Sequence, residues 1–174
     1  MTWQDAQDDT SNVKQFIVGR NDTRVRYNQK LCRDWSAGPL PGDRLVCLRN
    51  NHQKGLLNGE QFTLDRVDRI SEDGFMTLYV KSDDDRNESD YVETHRQFFE
   101  YKDVDEARMR VGKYGIDEFA YGYALTAHKA QGSQWNDIVV LDQRYSLGSV
   151  DPRCWLYTAV TRAKESVTIV TKFG

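Results

Sequence analysis

Two different spacings of apolar residues divide the 174-residue chain into regions. The run QFIV at residues 15–18 predicts a strand, and apolar positions at helical spacing up to Trp35 predict a helix after it. The segment SAGPLPG ends that helix because Gly and Pro do not continue it. Between residues 42 and 101, short stretches alternate apolar and polar positions, and in one of them Met76, Leu78 and Val80 share a face. This region predicts several antiparallel strands that form a small barrel.

The part of the chain after residue 102 predicts strands that alternate with helices. The strand candidates are EFAYGYALT, DIVVLD and SVTIVT, and the helix candidates are VDEARMRVGKYG, AHKAQGS and DPRCWLYTAVTRAKE. Apolar strands joined through helices are typical of a parallel sheet that is covered on both faces. The predicted fold class is therefore α/β. We expect the parallel-sheet domain to comprise residues 15–40 and 102–174, the inserted barrel residues 41–101, and an N-terminal tail or linker residues 1–14.

Charge and composition narrow the range of functions. The formal net charge of −3 taken alone disfavours a nucleic-acid-binding domain, since such domains are usually basic. The distribution is uneven, however. Acidic residues concentrate between Ser82 and Ala107, where we interpret them as solvated surface. The basic residues of one short segment are either solvated surface or a basic contact surface: Arg20, Arg24, Arg26, Lys30 and Arg33.

The cysteines and the N-terminus indicate the class of protein. Cys32, Cys47 and Cys154 are far apart and form no CxxC pair, so neither a disulfide framework nor a zinc site is predicted. We expect them to be small buried residues. The N-terminus is polar and acidic, and no apolar run has the length of a membrane span. The sequence therefore predicts a cytoplasmic protein without a membrane partner.

Two polar stretches near the end of the chain carry the candidate chemistry. TAHKAQGSQ follows a predicted strand, and ligands of open parallel sheets lie beyond the carboxyl ends of the strands. The same segment is also compatible with a tight turn that leads into the next strand. In PRCWLYTAVTRAKE, Arg162 is expected at the rim of a helical apolar stripe, about 90° from its centre. Its forked donors suit a phosphoryl group, although a surface arginine is the alternative.

Together, GYALTAHKAQGSQWNDIVVLD and WLYTAVTRAKESVTIV resemble motifs V and VI of superfamily 1 DNA helicases. The resemblance is to the RecD-like and Dda-like branch, which includes phage helicases and the alpha subunit of exonuclease V, and to its UvrD-like helicase C-terminal domain. FIVGRNDTRVRYNQKL is similar to the strand and helix that open the second RecA-like domain of these proteins. GDRLVCLRNNHQKGLLNGE is similar to the start of the SH3-like barrel inserted there. The resemblance thus implies a RecA-like domain with an SH3-like insert.

The resemblance also implies roles for six residues. Gly132 would approach the nucleotide phosphates with its backbone, and Arg162 would be the arginine finger that stabilises charge on the γ-phosphoryl group. Gln134 stands where the family often has Glu, near the ribose. Three residues resemble positions that contact the single-stranded DNA backbone or couple it to the nucleotide: Thr126, His128 and Lys129.

The sequence lacks two motifs of a complete helicase. It contains no GxxxxGK[ST] loop, and the acidic motif that binds Mg²⁺ is missing too. In the family, the first RecA-like domain supplies both. The resemblance therefore implies the C-terminal half of an ATP-dependent 5'-to-3' helicase, in which the other half holds most of the ATP and Mg²⁺ and this chain holds no metal.

We expect this chain alone to bind no cofactor and to be inactive as an ATPase. Its implied partners are the first RecA-like domain and single-stranded DNA, with nuclease or recombination subunits as further candidates. DNA repair, recombination and phage replication all stay open as pathways. The alternative function is a non-catalytic adaptor, derived from a helicase, that binds single-stranded DNA or protein.

Overall fold

The computed structural model describes residues 14–83, 90–101, 103–112, 115–143, 148 and 150–171. The tail predicted for residues 1–14 lies outside this part of the chain except for Lys14. No helix in the described ranges has both the length and the apolar character needed to cross a membrane. The chain divides into two compact units. Residues 1–23 and 124–174 form the first unit, and residues 24–123 form the second.

The described residues form nine strands and four helices. The strands are β1 (Gln15–Val18), β2 (Arg44–Cys47), β3 (Gln61–Ile70), β4 (Phe75–Ser82), β5 (Asp90–His95), β6 (Phe119–Tyr121), β7 (Ala124–Thr126), β8 (Trp135–Leu141) and β9 (Ala163–Val170). The helices are α1 (Asn21–Leu31), α2 (Gln97–Glu100), α3 (Val104–Val111) and α4 (Pro152–Val160).

The first unit contains a four-stranded parallel sheet in the order β7-β1-β8-β9. Ile17 at its centre pairs with both Leu125 and Val140, and all three side chains are buried. Continuous apolar strands of this kind are typical of parallel sheets. The predicted α/β class with a parallel sheet is therefore confirmed.

Helix α4 begins as its sequence predicts but ends earlier. The Asp151 carboxylate caps it by accepting the backbone N–H of Arg153 at 2.8 Å, and Pro152 occupies the first turn. Thr161 ends the helix, and Ala163 is already the first residue of β9. Arg162 therefore lies in the junction between helix and strand. The prediction that it sits on the rim of a helical stripe is wrong, because the helical periodicity stops before it.

The second unit contains a five-stranded antiparallel sheet in the order β5-β4-β3-β2-β6. The predicted alternation in β4 is confirmed, because Met76, Leu78 and Val80 are buried and their neighbours are not. These side chains join a core that includes Phe62 and Tyr121. The antiparallel sheet is thus present, and its closure into an SH3-like barrel stays a prediction.

Three stretches differ from the predicted elements. EFAYGYALT divides into β6, which pairs with β2, and β7, which belongs to the parallel sheet. Gly122 allows the change of sheet, because a Cβ there would lie 2.9 Å from the Leu45 carbonyl oxygen. YVETHRQFFE changes from strand to helix after His95, whose Nδ1 accepts the backbone N–H of Gln97 at 3.1 Å. AHKAQGS forms successive turns instead of a helix.

Candidate functional site

The turn that follows β7 is anchored to the carboxyl edge of the parallel sheet. The backbone N–H of Ala127 donates to the Val18 carbonyl at 3.0 Å, which extends the pairing of β7 with β1. The Ala130 N–H donates to the Thr126 carbonyl at 3.0 Å, and the Lys129 N–H to the Thr126 hydroxyl at 3.4 Å. The last residue of the strand therefore holds the residues that come directly after it.

A groove of about 580 Å³ opens at this edge of the first unit. Thr126, His128 and Lys129, the three residues predicted to contact DNA, all line it. The remaining lining residues are Gly19, Asn21, Ala127, Gln131, Val150, Cys154, Trp155 and Thr158. No acidic residue occurs among the described residues of its wall, and the charged side chain is that of Lys129. The charge of the groove therefore suits an anionic group.

Sequence reasoning missed most of the groove wall. Gly19 and Asn21 follow β1, which neighbours β7, so their place at the same edge follows once the strand order is known. Cys154 was expected to be buried, and that prediction is wrong because this side chain is exposed. It lines the groove from α4, beside Trp155. No signal in the sequence alone separates these side chains from an ordinary helix surface.

Gly132 takes a backbone conformation that favours glycine. Its φ is +90°, and an added Cβ would meet no other atom within 4 Å. The glycine is thus required by the turn itself and not by crowding. The open space beside its backbone leaves room for an external group.

The Arg162 side chain lies against this glycine turn. Its Nη1 donates to the Ser133 carbonyl at 3.4 Å, its Nε to the Thr158 carbonyl at 3.1 Å, and its Nη2 to the Thr161 hydroxyl at 3.1 Å. The Arg162 carbonyl in turn accepts the Trp135 N–H at 2.9 Å. The guanidinium and the glycine turn are therefore neighbours, although thirty residues separate Gly132 from Arg162 in sequence.

Gln134 lies in the same neighbourhood with a weaker contact. Its Nε2 donates to the Thr161 carbonyl at 3.5 Å, and the side chain is exposed. We use the name Arg162 cluster for five residues at the start of β8 and β9: Gly132, Ser133, Gln134, Thr161 and Arg162.

The six predicted site residues fall into two groups at opposite edges of the sheet. Ile17 pairs with Leu125 on one side and with Val140 on the other, so Thr126 at the end of β7 lies level with the last residue of β8. The first residue of β8, Trp135, lies six residues further back along the strand. At about 3.3 Å per residue this separation is about 20 Å along the strands. The prediction that the whole stretch sits at the carboxyl edge is wrong for its second half. A parallel connection must return to the amino edge before the next strand begins.

The basic segment does not act as one free cationic surface. Arg20 pairs with Asp22 at 3.0 Å, and Arg33 approaches the Asp43 carboxylate at 3.7 Å. Arg24 is 5% exposed, and burial lowers its pKa from the ordinary value. Arg26 and Lys30 are exposed, and the Lys30 ammonium lies 5.9 Å from the centroid of the Tyr27 ring. Four of the five side chains are thus engaged or buried.

The segment that contains the candidate site is similar to a known protein family. Residues 121–170 match the family described as the UvrD-like helicase C-terminal domain. This stretch includes all six predicted site residues. The resemblance to helicase C-terminal domains is thereby confirmed for this part of the chain.

Solved helicase structures share the fold. A structure of two coordinating Pif1 helicases unwinding forked double-stranded DNA matches 95% of this chain at 18% identity and a TM-score of 0.58. Bacteroides Pif1 in complex with ADP-AlF3 and single-stranded DNA matches 99% at 16% identity and a TM-score of 0.56. At these identities the likeness shows the fold alone. The chain spans 41% and 46% of those proteins.

One curated protein is similar over most of the chain. An uncharacterized protein of Methanocaldococcus jannaschii is 22% identical over 156 residues, which are 84% of this chain and 12% of that protein. In both kinds of comparison, therefore, the chain corresponds to less than half of a longer protein.

Proposed function

We propose that this chain is the second RecA-like, C-terminal half of a superfamily 1B DNA helicase that moves 5' to 3' and is driven by ATP. One observation carries the proposal: the Arg162 guanidinium lies 3.4 Å from the Ser133 carbonyl, directly beside Gly132. A cation and an open glycine backbone on one sheet edge are the two groups that a nucleotide bound by another domain would meet. Within that superfamily, the proposal places the chain in the RecD-like and Dda-like branch.

The Arg162 cluster fits one side of a nucleotide. Arg162 would act as the arginine finger and stabilise negative charge on the γ-phosphoryl group in the transition state. Its longest hydrogen bond, from Nη1 to Ser133, is the one that a phosphoryl oxygen would replace. The Gly132 backbone would approach the phosphates through the space left by the missing side chain, and the Gln134 amide would bond the ribose.

The groove of the first unit would hold the DNA strand. Lys129 supplies a cation, and the Thr126 hydroxyl and His128 supply polar contacts that suit phosphate and sugar oxygens. Such contacts carry no information about the base sequence. A translocating enzyme needs this type of grip, because it must move over every sequence.

The other half of the active site must come from a first RecA-like domain. That domain would bind the β-phosphate and Mg²⁺, for which these 174 residues offer no phosphate loop. We accordingly propose that the chain alone does not hydrolyse ATP. The proposal keeps residues 15–40 and 102–174 as the RecA-like domain and residues 41–101 as its SH3-like insert. A cytoplasmic location and nuclease or recombination subunits as partners also belong to the proposal, and DNA repair, recombination and phage replication all stay open as its pathway.

Two measurements test the proposed function. Phosphate release should be absent for this chain and present for a protein in which a Walker-type first domain accompanies it. Binding of a labelled single strand should weaken for Lys129→Ala by about tenfold at low salt, with a smaller salt slope, because one phosphate contact is lost.

Lys164→Ala is the matched control, because Lys164 is an exposed lysine on β9 outside the groove. We expect it to bind the strand like the unaltered chain. Steady-state hydrolysis by the chain alone, or equal losses from both lysine variants, would contradict the proposal. Strand binding through the groove without hydrolysis in any combination would support the adaptor instead.

A further inference from the structure

A small cavity lies in the second unit between the turn at residues 35–39 and helix α2. Its volume is about 80 Å³. A water molecule needs about 10–15 Å³ of such space, so the cavity has room for a larger group such as one six-membered ring. Most of the residues that line it are apolar or aromatic. We use the name aromatic cavity for the space between six of them: Trp35, Pro39, Ile70, Met76, Phe99 and Tyr121.

Three aromatic rings shape the inner part of this cavity. The Trp35 and Tyr121 ring centroids are 5.5 Å apart, and the Phe99 ring meets the Tyr121 ring at 5.2 Å with the planes inclined by 79°. Met76, Phe99 and Tyr121 are buried, whereas Ile70 is 53% exposed. The aromatic cavity is therefore apolar in its depth and has an apolar side chain at its mouth.

The two walls of the cavity are held by their own polar contacts. In the turn, the Asp34 carboxylate accepts the backbone N–H of Ser36 at 2.9 Å and that of Ala37 at 3.2 Å. In the α2 wall, the Arg96 guanidinium donates to one Glu100 carboxylate oxygen at 2.9 and 2.7 Å. The walls therefore keep their positions without packing against each other, and the space between them stays open.

The Tyr121 hydroxyl is a buried polar group that core packing does not explain. It forms no hydrogen bond with a residue in the described ranges. Burial, together with the nearby Cys32 and Asp43, raises the pKa of Tyr121, so the hydroxyl keeps its proton and is a hydrogen-bond donor at neutral pH. An unpartnered buried hydroxyl is costly, and a phenylalanine would make the same ring contacts without that cost.

We infer that the aromatic cavity binds a small neutral aromatic molecule that carries a hydrogen-bond acceptor. Its ring would pack against Trp35 and Phe99, since aromatic rings favour such offset and edge-to-face contacts. Its acceptor atom would take the hydrogen bond that the Tyr121 hydroxyl is free to donate. An apolar pocket with very few polar groups is the usual construction of small-molecule sites.

The charges at the cavity favour a neutral ligand over an ionic one. Arg96 and Glu100 both line the cavity, but they pair with each other at 2.7 Å. An ion that entered the apolar interior would lose its hydration without gaining an unpaired counter-charge. The volume likewise suits a single ring rather than a larger molecule.

This site goes beyond the proposed helicase role. It belongs to the second unit and uses neither the Arg162 cluster nor the groove of the first unit. A ligand bound there would stabilise the folded chain by mass action, whether or not the chain takes part in ATP hydrolysis.

The test compares pyridine with benzene, because the two rings have the same size and only pyridine carries an acceptor nitrogen. Each is titrated into the whole chain and followed by protein NMR, with the Trp35 indole N–H as the reporter and Trp155 of the first unit as the internal reference. We expect saturable shifts at Trp35 and none at Trp155. Affinities should be roughly millimolar for ligands of six non-hydrogen atoms.

Two variants and a control locate the binding site. Tyr121→Phe should weaken pyridine by about fivefold, the effect of one lost hydrogen bond, and leave benzene within about twofold. Ala37→Leu adds bulk to the cavity wall and should weaken both rings by about fivefold or more. Tyr157→Phe removes the hydroxyl of an exposed tyrosine in α4 and should change neither affinity.

Several results would overturn the inference. These are the absence of saturable shifts at Trp35 with either ring, a pyridine affinity of Tyr121→Phe equal to that of the unaltered chain, and equal losses of pyridine and benzene in Tyr121→Phe. Unchanged affinities in Ala37→Leu would also overturn it, because the rings would then bind elsewhere.

Discussion

Replacing Arg162 separates a structural role from a catalytic one, because the two roles predict effects of different size. The side chain makes three hydrogen bonds to its own unit, at 3.1, 3.4 and 3.1 Å, from a half-buried position. At about 0.5–1 kcal/mol for each such bond, Arg162→Ala should lower the free energy of unfolding of this chain by about 2 kcal/mol. Urea denaturation of the chain measures that loss.

The catalytic effect should be much larger. Loss of an arginine finger lowers kcat by about 10³ to 10⁵, which corresponds to about 4–7 kcal/mol of transition-state stabilisation. In a protein that includes the first RecA-like domain, Arg162→Ala should therefore nearly abolish ATP turnover while nucleotide binding largely persists. Arg162→Lys should recover little, because a lysine keeps the charge without the forked donors.

The assay is steady-state ATP hydrolysis with saturating single-stranded DNA, beside a nucleotide titration of the same variants. Arg153→Ala serves as the control, because Arg153 is an exposed arginine in the first turn of α4 and lies outside the Arg162 cluster. It should change neither kcat nor stability appreciably. A fall in kcat of less than tenfold for Arg162→Ala, or a loss of nucleotide affinity as large as the loss of kcat, would refute the finger role.

Two further predictions concern stability of the second unit. Asp117 is 4% exposed and accepts hydrogen bonds from Asn51, Lys54 and the Glu93 backbone, so Asp117→Ala should cost about 3 kcal/mol in urea denaturation. Asp105→Ala, which removes an exposed carboxylate, should cost under about 0.5 kcal/mol, and similar losses from both variants would contradict this stabilising role of Asp117. Burial raises the pKa of the Cys47 thiol to about 11, so unfolding should become easier as the pH rises from about 9 to 11, where the unfolded thiol ionises and the folded one does not. The fall in the free energy of unfolding between these pH values should be smaller in Cys47→Ala. If the free energy of unfolding depended on pH identically in the two proteins, ionisation of Cys47 would be excluded as the cause.

The sequence determined the elements whose residues suit one environment only. Runs such as QFIV and DIVVL can be buried on both faces, so they specify parallel strands, and the alternation around Leu78 specifies a strand with one buried face. The start of α4 was also determined by nearby residues, because the Asp151 side chain caps the helix and Pro152 fits its first turn. The order of TAHKAQGSQ and YTAVTRA likewise identified the stretch that matches helicase C-terminal domains.

Tertiary structure decided what depends on partners distant in sequence. The sequence EFAYGYALT predicts one strand, but the structure divides it between two sheets. The close approach of the Leu45 carbonyl to Gly122 explains where the division falls. The position of Arg162 beside Ser133 required the pairing of β8 with β9, and the division of the site residues between two edges required the order of the strands. The physical reason is that the periodicity of a segment depends only on which of its faces is buried. A site, in contrast, forms through hydrogen bonds between strands, and the local sequence does not determine which strands become neighbours.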